Sequence, residues 1–408
     1  MKIAVIGSGI SGLSAAFYLS KKFKVDLFEQ ENQFGGHSYT YDIKNKNSII
    51  PVDLGFIVFN KLTYPHLINF FNELAIPFEK SDMSFSVSIK DSNIEYGGSG
   101  LGALFANRFN IFNIKFLKMI KEIISFYKKA PSLLKKDLEN QTLGNFLNKS
   151  GLSKYFIDYH IVPMVAAIWS MPFKKAKDMP LTLFLNFFIN HGLFKFKERP
   201  QWYTVSNRSR TYVNEVTKHI SGEIFKNYKV DKVSRNRDNV KITIGGEYLN
   251  YDHVVLASHA DQSLKMLEDP SNEELHILEK FKYVSNTAVL HTDQNFMPKR
   301  KIAWSSWNSI SNNTSTCVTY WLNKLQNLKC EKNYFLTLNP IVDVSKESLI
   351  KTVNFTHPYF NTNTLKYQNN LLEIQGKKRT WYCGSYFGYG FHEDGLKSAI
   401  NLVKIFKT

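Results

Sequence analysis

The residues with the clearest chemical capacity lie near the two ends of the chain. At the start, Gly7-Ser8-Gly9-Ile10-Ser11-Gly12 is followed by the acid Glu29. At the end, the run from Trp381 to Gly395 interleaves glycines with aromatics and carries His392, Glu393 and Asp394. Three glycines at the first spacing suit a pyrophosphate. Gly7 permits the tight turn, Gly9 lets backbone approach the phosphates, and Gly12 lets a helix pack close to its strand. Ile10 and Ser11 then open a helix whose unpaired N–H groups and positive dipole end face the anion. Glu29 would accept hydrogen bonds from a ribose 2′-hydroxyl and repel a 2′-phosphate. His392, oriented by Glu393, is the candidate base for the proton that accompanies a hydride transfer. Asp394 is a residue type that caps helices.

These groups need elements to hold them. Lys2 to Ile6 reads as a buried strand, the apolar-periodic stretch to Leu19 as a helix, and Lys24 to Phe28 as a second strand. Gly35-Gly36-His37 follows, where paired glycines let backbone run beside a flavin or its phosphates and His37 offers a phosphate-facing cation. Val52-Asp53-Leu54-Gly55 comes next. Residues 61–199 read as mainly helical, with apolar positions at helical spacing over Tyr64 to Leu74 and Phe116 to Lys129. Strand character returns after 202, over Ile224 to Val233, Val240 to Ile244, His253 to Ala257, Tyr283 to His291 and Ser315 to Trp321. Ala260 to Leu267 reads as a helix. The chain ends as strand (Thr380 to Cys383), glycine loop and helix (Gly395 to Phe406). The expected architecture is α/β: a discontinuous Rossmann-like domain built from 1–60, 203–265 and 376–408, with an α+β substrate domain inserted as 61–202 and 266–375.

Composition narrows the setting. The chain has 408 residues, enough for two domains, and a formal net charge of +17. Such a balance suits nucleic acid, an anionic membrane surface or acidic substrates. No nucleic-acid module is present, so the membrane reading is the stronger one, although plentiful Lys, Asn and Ile also fit a coding bias. Cys317, Cys330 and Cys383 have no paired spacing, which argues against disulfides or a zinc site and fits a reducing cytoplasm. No metal is expected. The fingerprint strand begins at residue 2, leaving no room for a cleaved signal peptide, and no apolar run is long enough to span a bilayer.

Taken together, these pieces resemble the flavin-containing amine oxidoreductase superfamily. The resemblance rests on Gly7 to Gly12 with Glu29, Gly35-Gly36, Asp53 to Gly55, the strand with Val230, Val254 to Ser258, and Gly384 to Gly395. It implies non-covalently bound FAD, with the adenine against Val230, the ribose on Glu29 and the isoalloxazine at the loop before Gly395 and Leu396. Trp304 to Asn308, Val318 to Asn323, Ser258 to Gln262 and Gly388 to Gly395 are similar to a bacterial subgroup associated with cyclopropane-fatty-acid-synthase-like methyltransferases. That subgroup resembles the flavin desaturase of furan fatty acid synthesis, which acts on a methylated phospholipid acyl chain. The implied substrate is lipid-like, with a lipid methyltransferase as partner. The alternatives are an amine oxidase or a flavoprotein partner without its own turnover. In the superfamily a lysine commonly stands near the flavin, on a strand matching Val284 to Leu290. Here that strand offers Ser285, Asn286 and Thr287. Trp304, Trp307, Tyr389 and Asn286 are the substrate-pocket candidates. Cys383 reads as a core residue.

Two stretches speak for a lipid surface. Phe105 to Lys136 sets Arg108, Lys115, Lys118 and Lys121 among Phe and Ile, and Leu181 to Trp202 mixes five Phe residues with Lys195, Lys197 and Arg199. Both suggest peripheral attachment to an anionic bilayer.

Overall fold

The structure, a computed structural model, describes residues 1–44, 48–135, 138, 140–169, 173–312 and 316–406. Lys136 and Ser315, which closed or opened predicted segments, lie outside the described residues.

Five short strands form a parallel sheet in the order Ile224–Lys226, Lys24–Glu29, Lys2–Ile6, His253–Leu256, Thr380–Tyr382. Three separated stretches of chain therefore meet in one sheet. The helix Ile10–Ser20 is buried on almost every side, between this sheet and the C-terminal helix His392–Ile405. That approach depends on two glycines. A Cβ on Gly12 would sit 1.8 Å from the Gly7 carbonyl oxygen, and one on Gly395 would sit 2.7 Å from Ser11 Oγ.

The second large unit is a mixed sheet of seven strands, in the order Leu349–Tyr359, Lys282–His291, Phe335–Leu338, Thr316–Trp321, Trp307–Ser311, Phe85–Ile89, Ile94–Gly97. Its pairings are antiparallel except that Trp307–Ser311 runs parallel to Phe85–Ile89. Helices pack beside it. Ile114–Leu133 turns Phe116, Met119, Ile123 and Phe126 inward, onto a core that includes Phe184, Phe188 and Phe194.

Several expectations change. The segment 61–199 is not simply helical: Phe78–Ser81, Phe85–Ile89 and Ile94–Gly97 are strands. Phe85-Ser86-Val87-Ser88-Ile89 alternates with period two, a signal that the neighbouring helical periodicity outweighed. The run Ile224 to Val233 breaks into two strands, and only the first joins the parallel sheet. The stretch Leu181 to Trp202 is not a lipid-facing surface along its length. Leu181–Asn190 is a core helix, with Phe184 and Phe188 buried in the helical core and Phe187 turned to the cavity.

Gly12→Val should prevent the helix from seating. We expect a loss of several kcal/mol in unfolding free energy, above the ~1–3 kcal/mol of ordinary overpacking, because backbone rather than a movable side chain occupies the space. Urea denaturation with far-UV circular dichroism measures it; an unshifted midpoint would contradict the close packing.

Candidate functional site

One large cavity, about 700 Å³, runs from the fingerprint turn into the mixed sheet and helices. Its polar end is walled by Gly7 to Ser11, Glu29, Val230 and Ser258, its middle by Gly36, His37, Gly384 and His392, and its far arm by aromatics.

At the polar end, Gly7 takes φ +99 and a Cβ on Gly9 would have no neighbour within 4 Å. The turn is tight on its inner side and open toward the cavity. No side chain caps the helix that starts at Ile10, so its first N–H groups stay available to an anion. Glu29 is held in place by Ser8, whose backbone N–H (3.0 Å) and hydroxyl (2.5 Å) both donate to Oε2. Its other oxygen accepts from the Glu31 N–H at 3.0 Å. The paired glycines lie directly over this turn: a Cβ on Gly36 would come within 3.1 Å of Gly9 Cα. Asp53 and Gly55 support the same loop from behind. Asp53 is a buried anchor that accepts from the Ser209 N–H (2.8 Å) and hydroxyl (2.7 Å), and Gly55 lets the chain cross the His37 carbonyl.

The middle holds an unusual set of histidines. His37 stacks on Phe355 at 5.1 Å and lies 4.9 Å from His357 and 6.5 Å from His259, ring to ring. His259 lies flat on Tyr283 at 4.1 Å. His357 Nδ1 accepts from the Asn286 amide at 2.9 Å. His392 stacks on Phe56 at 3.6 Å, and its Nε2 lies 2.9 Å from Ser38 Oγ and 3.3 Å from the Tyr212 hydroxyl. Burial is the main cause that keeps all four neutral at pH 7. It lowers His37 and His259 to about 4, His357 to about 3, and His392 well below the usual histidine range. Each is lowered further by a neighbouring histidine: His37 by His259, His259 by His357, and both His357 and His392 by His37.

The far arm is an aromatic tunnel. Phe187 stacks on His191 (3.8 Å) and Phe391 (4.8 Å) and tilts against Trp169 (4.6 Å). Trp307 meets Tyr320 edge-on at 4.8 Å. Arg199 stands exposed at the rim. The carboxylates on the described wall are Glu29 and Asp231, both at the polar end.

Not every sequence candidate reaches this cavity. Gly7, Gly9, Ile10, Ser11, Glu29, Gly36, His37, Val230, Gly384, Trp307, Tyr389 and His392 line it. Gly12, Gly35 and Gly395 shape the backbone from outside. Leu396 is fully buried in the core beside the N-terminal helix. Trp304 is also a core residue, its indole donating to the Pro298 carbonyl at 2.7 Å. Asn286 is buried behind His357 and shares its amide with Asn339. Glu393 does not orient His392: its carboxylate accepts from the His66 (2.9 Å) and Leu67 (3.0 Å) N–H groups, at the start of the helix Pro65–Glu73. An uncapped helix start is a stronger partner for a carboxylate than a neutral imidazole. Asp394 accepts from the Phe391 N–H at 2.9 Å, the helix-capping role. His160 is structural, between the Tyr96 and Tyr127 hydroxyls.

Sequence reasoning missed Ser38, Phe56, Tyr212 and His357. The period-two run Asn354 to Pro358 is the available signal for His357. The other three become neighbours only through the tertiary fold.

The cavity fits a dinucleotide on its own terms. Three of its lining side chains carry a buried polar atom without a partner, namely His37 Nε2, Trp307 Nε1 and the Tyr386 hydroxyl. Buried polar atoms are normally satisfied, so these ask for a ligand with polar groups along its length. Gly7 to Ser11, Glu29 and Val230 would hold the nucleotide half, and Gly36, His37, Gly384 and Tyr386 the remainder.

Comparison with known proteins agrees with this geometry. Residues 5–74 match the NAD(P)-binding Rossmann-like domain. Prenylcysteine oxidase 1 of Rattus norvegicus and that of Mus musculus are each 29% identical over 194 residues, covering 40% of this chain. The chain spans 37% of the length of those relatives. Among solved structures, a CLA-producing fatty acid isomerase from P. acnes superposes with a TM-score of 0.70 at 13% identity, over 100% of this chain and 98% of that one. Cyclohexylamine oxidase from Brevibacterium oxydans gives 0.72 at 14%, over 99% and 98%. A putative protoporphyrinogen oxidase from Exiguobacterium gives 0.70 at 14%, over 99% and 98%. The chain therefore has, along its whole length, the α/β fold of these structures, a Rossmann-like unit joined to a second unit built on the mixed sheet.

Proposed function

We propose that this protein is an FAD-dependent oxidoreductase that removes a hydride and a proton from a long apolar substrate, and that the substrate is a lipid acyl chain. The finer reading is a desaturase acting on a methylated phospholipid chain, working beside a lipid methyltransferase. One observation carries the lipid reading. The far arm of the cavity is aromatic and apolar, has a cation at its rim in Arg199, and has no carboxylate among the described lining residues. Such a wall accepts an uncharged chain with an anionic head, and it gives an amine no counter-charge. The fold shared with a fatty acid isomerase supports an acyl chain as well.

FAD, when bound, supplies the two-electron chemistry; the chain supplies position, dryness and a proton acceptor. Gly9, the open helix start and Glu29 would hold the dinucleotide. Cys383 is buried in the core and does not line the cavity, which supports non-covalent attachment. The aromatic arm excludes water and fixes the chain. His392 is neutral and so able to accept a proton at Nε2, where the Ser38 and Tyr212 hydroxyl oxygens would take the hydrogen bond from the resulting N–H. Burial, which holds His392 well below the usual histidine range, makes it a transient acceptor that must pass the proton on.

Three outcomes are expected. Glu29→Ala should weaken FAD binding about tenfold to a hundredfold, the loss of charge-assisted hydrogen bonds, as read by flavin fluorescence titration; unchanged affinity would remove Glu29 from the ribose site. Anaerobic mixing with phospholipids should bleach the flavin and yield a lipid two hydrogens lighter. Here His392→Asn should bleach ~10²–10⁴-fold more slowly. A lipid of unchanged mass with a moved double bond would assign isomerisation instead, and bleaching by simple amines alone would reject the lipid reading.

The third concerns pH. His37, His259, His357 and His392 stay neutral in the folded state but titrate near 6.5 once unfolded. Below pH 6.5 the unfolded chain binds more protons, so stability must fall as pH falls, by up to about 1.4 kcal/mol per pH unit for each such group. Unfolding midpoints should drop steeply between pH 6.5 and about 4, and FAD should lessen the drop if it shields the cluster. A flat profile across this window would mean the histidines are not held neutral.

A further inference from the structure

The surface around the short helix Arg108–Phe112 is built inside out. Asn107 and Asn110 are buried, while Phe109 and Phe112 are 80% and 83% exposed. Hydrogen bonds enforce the inversion. The Asn107 side chain donates to the Asn93 carbonyl at 2.8 Å and accepts from the Phe109 N–H at 3.3 Å. Asn113 then caps the next helix, Ile114–Leu133, through the Phe116 N–H at 3.1 Å. With Asn107 tied inward and Asn110 buried beside it, the two phenylalanines face out.

The apolar surface continues. Leu101 is 76% exposed and Ile114 81%, and Gly102 beside Leu101 lies against the exposed Ile302. Along the helix, Ile114, Leu117, Lys121, Ile124 and Lys128 follow helical spacing on one exposed face, opposite the buried face of Phe116, Met119, Ile123 and Phe126. The helix thus has a second stripe, apolar but for Lys121 and Lys128, that nothing in the chain covers among the described residues. Lys115 and Lys118, both exposed, stand beside it, with Arg108 at its head. Glu122, its one acid, is turned to the Ser153 N–H at 3.1 Å.

We propose that this surface docks the protein on an anionic bilayer, with Phe109, Phe112 and Ile114 entering the headgroup–acyl boundary and the lysines meeting lipid phosphates. Large apolar residues ringed by basic ones are the arrangement that such an interface binds. A second copy of the chain is the poorer occupant, because a self-complementary contact would set lysines against lysines. Near the other end of the helix, Phe196, itself half exposed, stacks on the buried Tyr127 at 5.3 Å, and Arg199 at the cavity rim follows three residues later. The proposal does not depend on the flavin reading, since a protein that never reduces its flavin can still be tested for vesicle binding.

The test uses the full chain and vesicles of phosphatidylcholine with or without phosphatidylglycerol, read by sedimentation. Binding is expected with phosphatidylglycerol and should fade as salt is raised. Phe109→Ser with Phe112→Ser should weaken it at least about tenfold, and Lys115→Gln with Lys118→Gln and Lys121→Gln should remove its salt dependence. Both sets are solvent-facing, so circular dichroism should be unchanged. Hydrogen exchange on the unmutated protein checks the surface without relying on a variant: vesicles should protect amides in 108–118. The proposal is overturned if the unmutated protein ignores phosphatidylglycerol at low salt, or if protection falls only elsewhere. It is also overturned if light scattering finds a dimer that the phenylalanine variant splits while vesicles bind neither protein.

Discussion

The closeness of one helix to the turn that precedes it governs the rest of this molecule. Ile10–Ser20 can lie where it does only because Gly12 presents no side chain to the Gly7 carbonyl. Once it is seated there, its uncapped start faces the cavity and Glu29 is fixed by Ser8. The Gly35-Gly36 loop lies on Gly9, and the C-terminal helix rests on Ile10 and Ser11 through Gly395. That last contact also fixes where His392 begins its helix. A residue near the end of the sequence is thus positioned by a helix near its start.

This dependence explains what was legible in the sequence. The fingerprint could be read because strand, turn, helix and acid are consecutive and each residue type has a local reason. The C-terminal loop could be read for its composition, but its roles could not be assigned. Glu393 was expected to orient its neighbour in sequence. It instead reaches a helix start more than three hundred residues away, a partner that no local pattern announces. Gly395 was taken for a cofactor contact when its constraint is helix packing. Trp304 and Trp307 are alike in sequence context, yet Trp304 ends the turn Lys301–Ala303 and packs in the core, while Trp307 opens the strand Trp307–Ser311 and faces the cavity, a boundary that three residues of sequence do not announce.

The histidines show a different limit. His37, His259, His357 and His392 come from four separate segments, and their shared property is set by one another and by burial. Neutral imidazoles give the middle of the cavity polar atoms without fixed charge. A site of the proposed kind, taking both an anionic dinucleotide and an apolar chain, would need that combination: cations there would hold the phosphates more tightly but make the adjoining wall costly for a hydrocarbon. The unpartnered Nε2 of His37 stands at the junction of the two regions.

Charge along the cavity then decides how a substrate of the proposed kind would enter. Glu29 and Asp231 lie with Lys229 and Lys265 at the nucleotide end, neutral groups fill the middle, and Arg199 marks the rim of the far arm. A dinucleotide bound at the first end would fill it, so an anion-headed chain would keep its head at Arg199 and enter the far arm tail first. The distance from that head to His37 and His392 then sets which carbon reacts. With the head fixed at Arg199 and the reaction point fixed, shortening or lengthening the chain should leave the position of the chemistry constant when counted from the head. An enzyme that instead seated the methyl end against a closed wall would hold that position constant when counted from the tail.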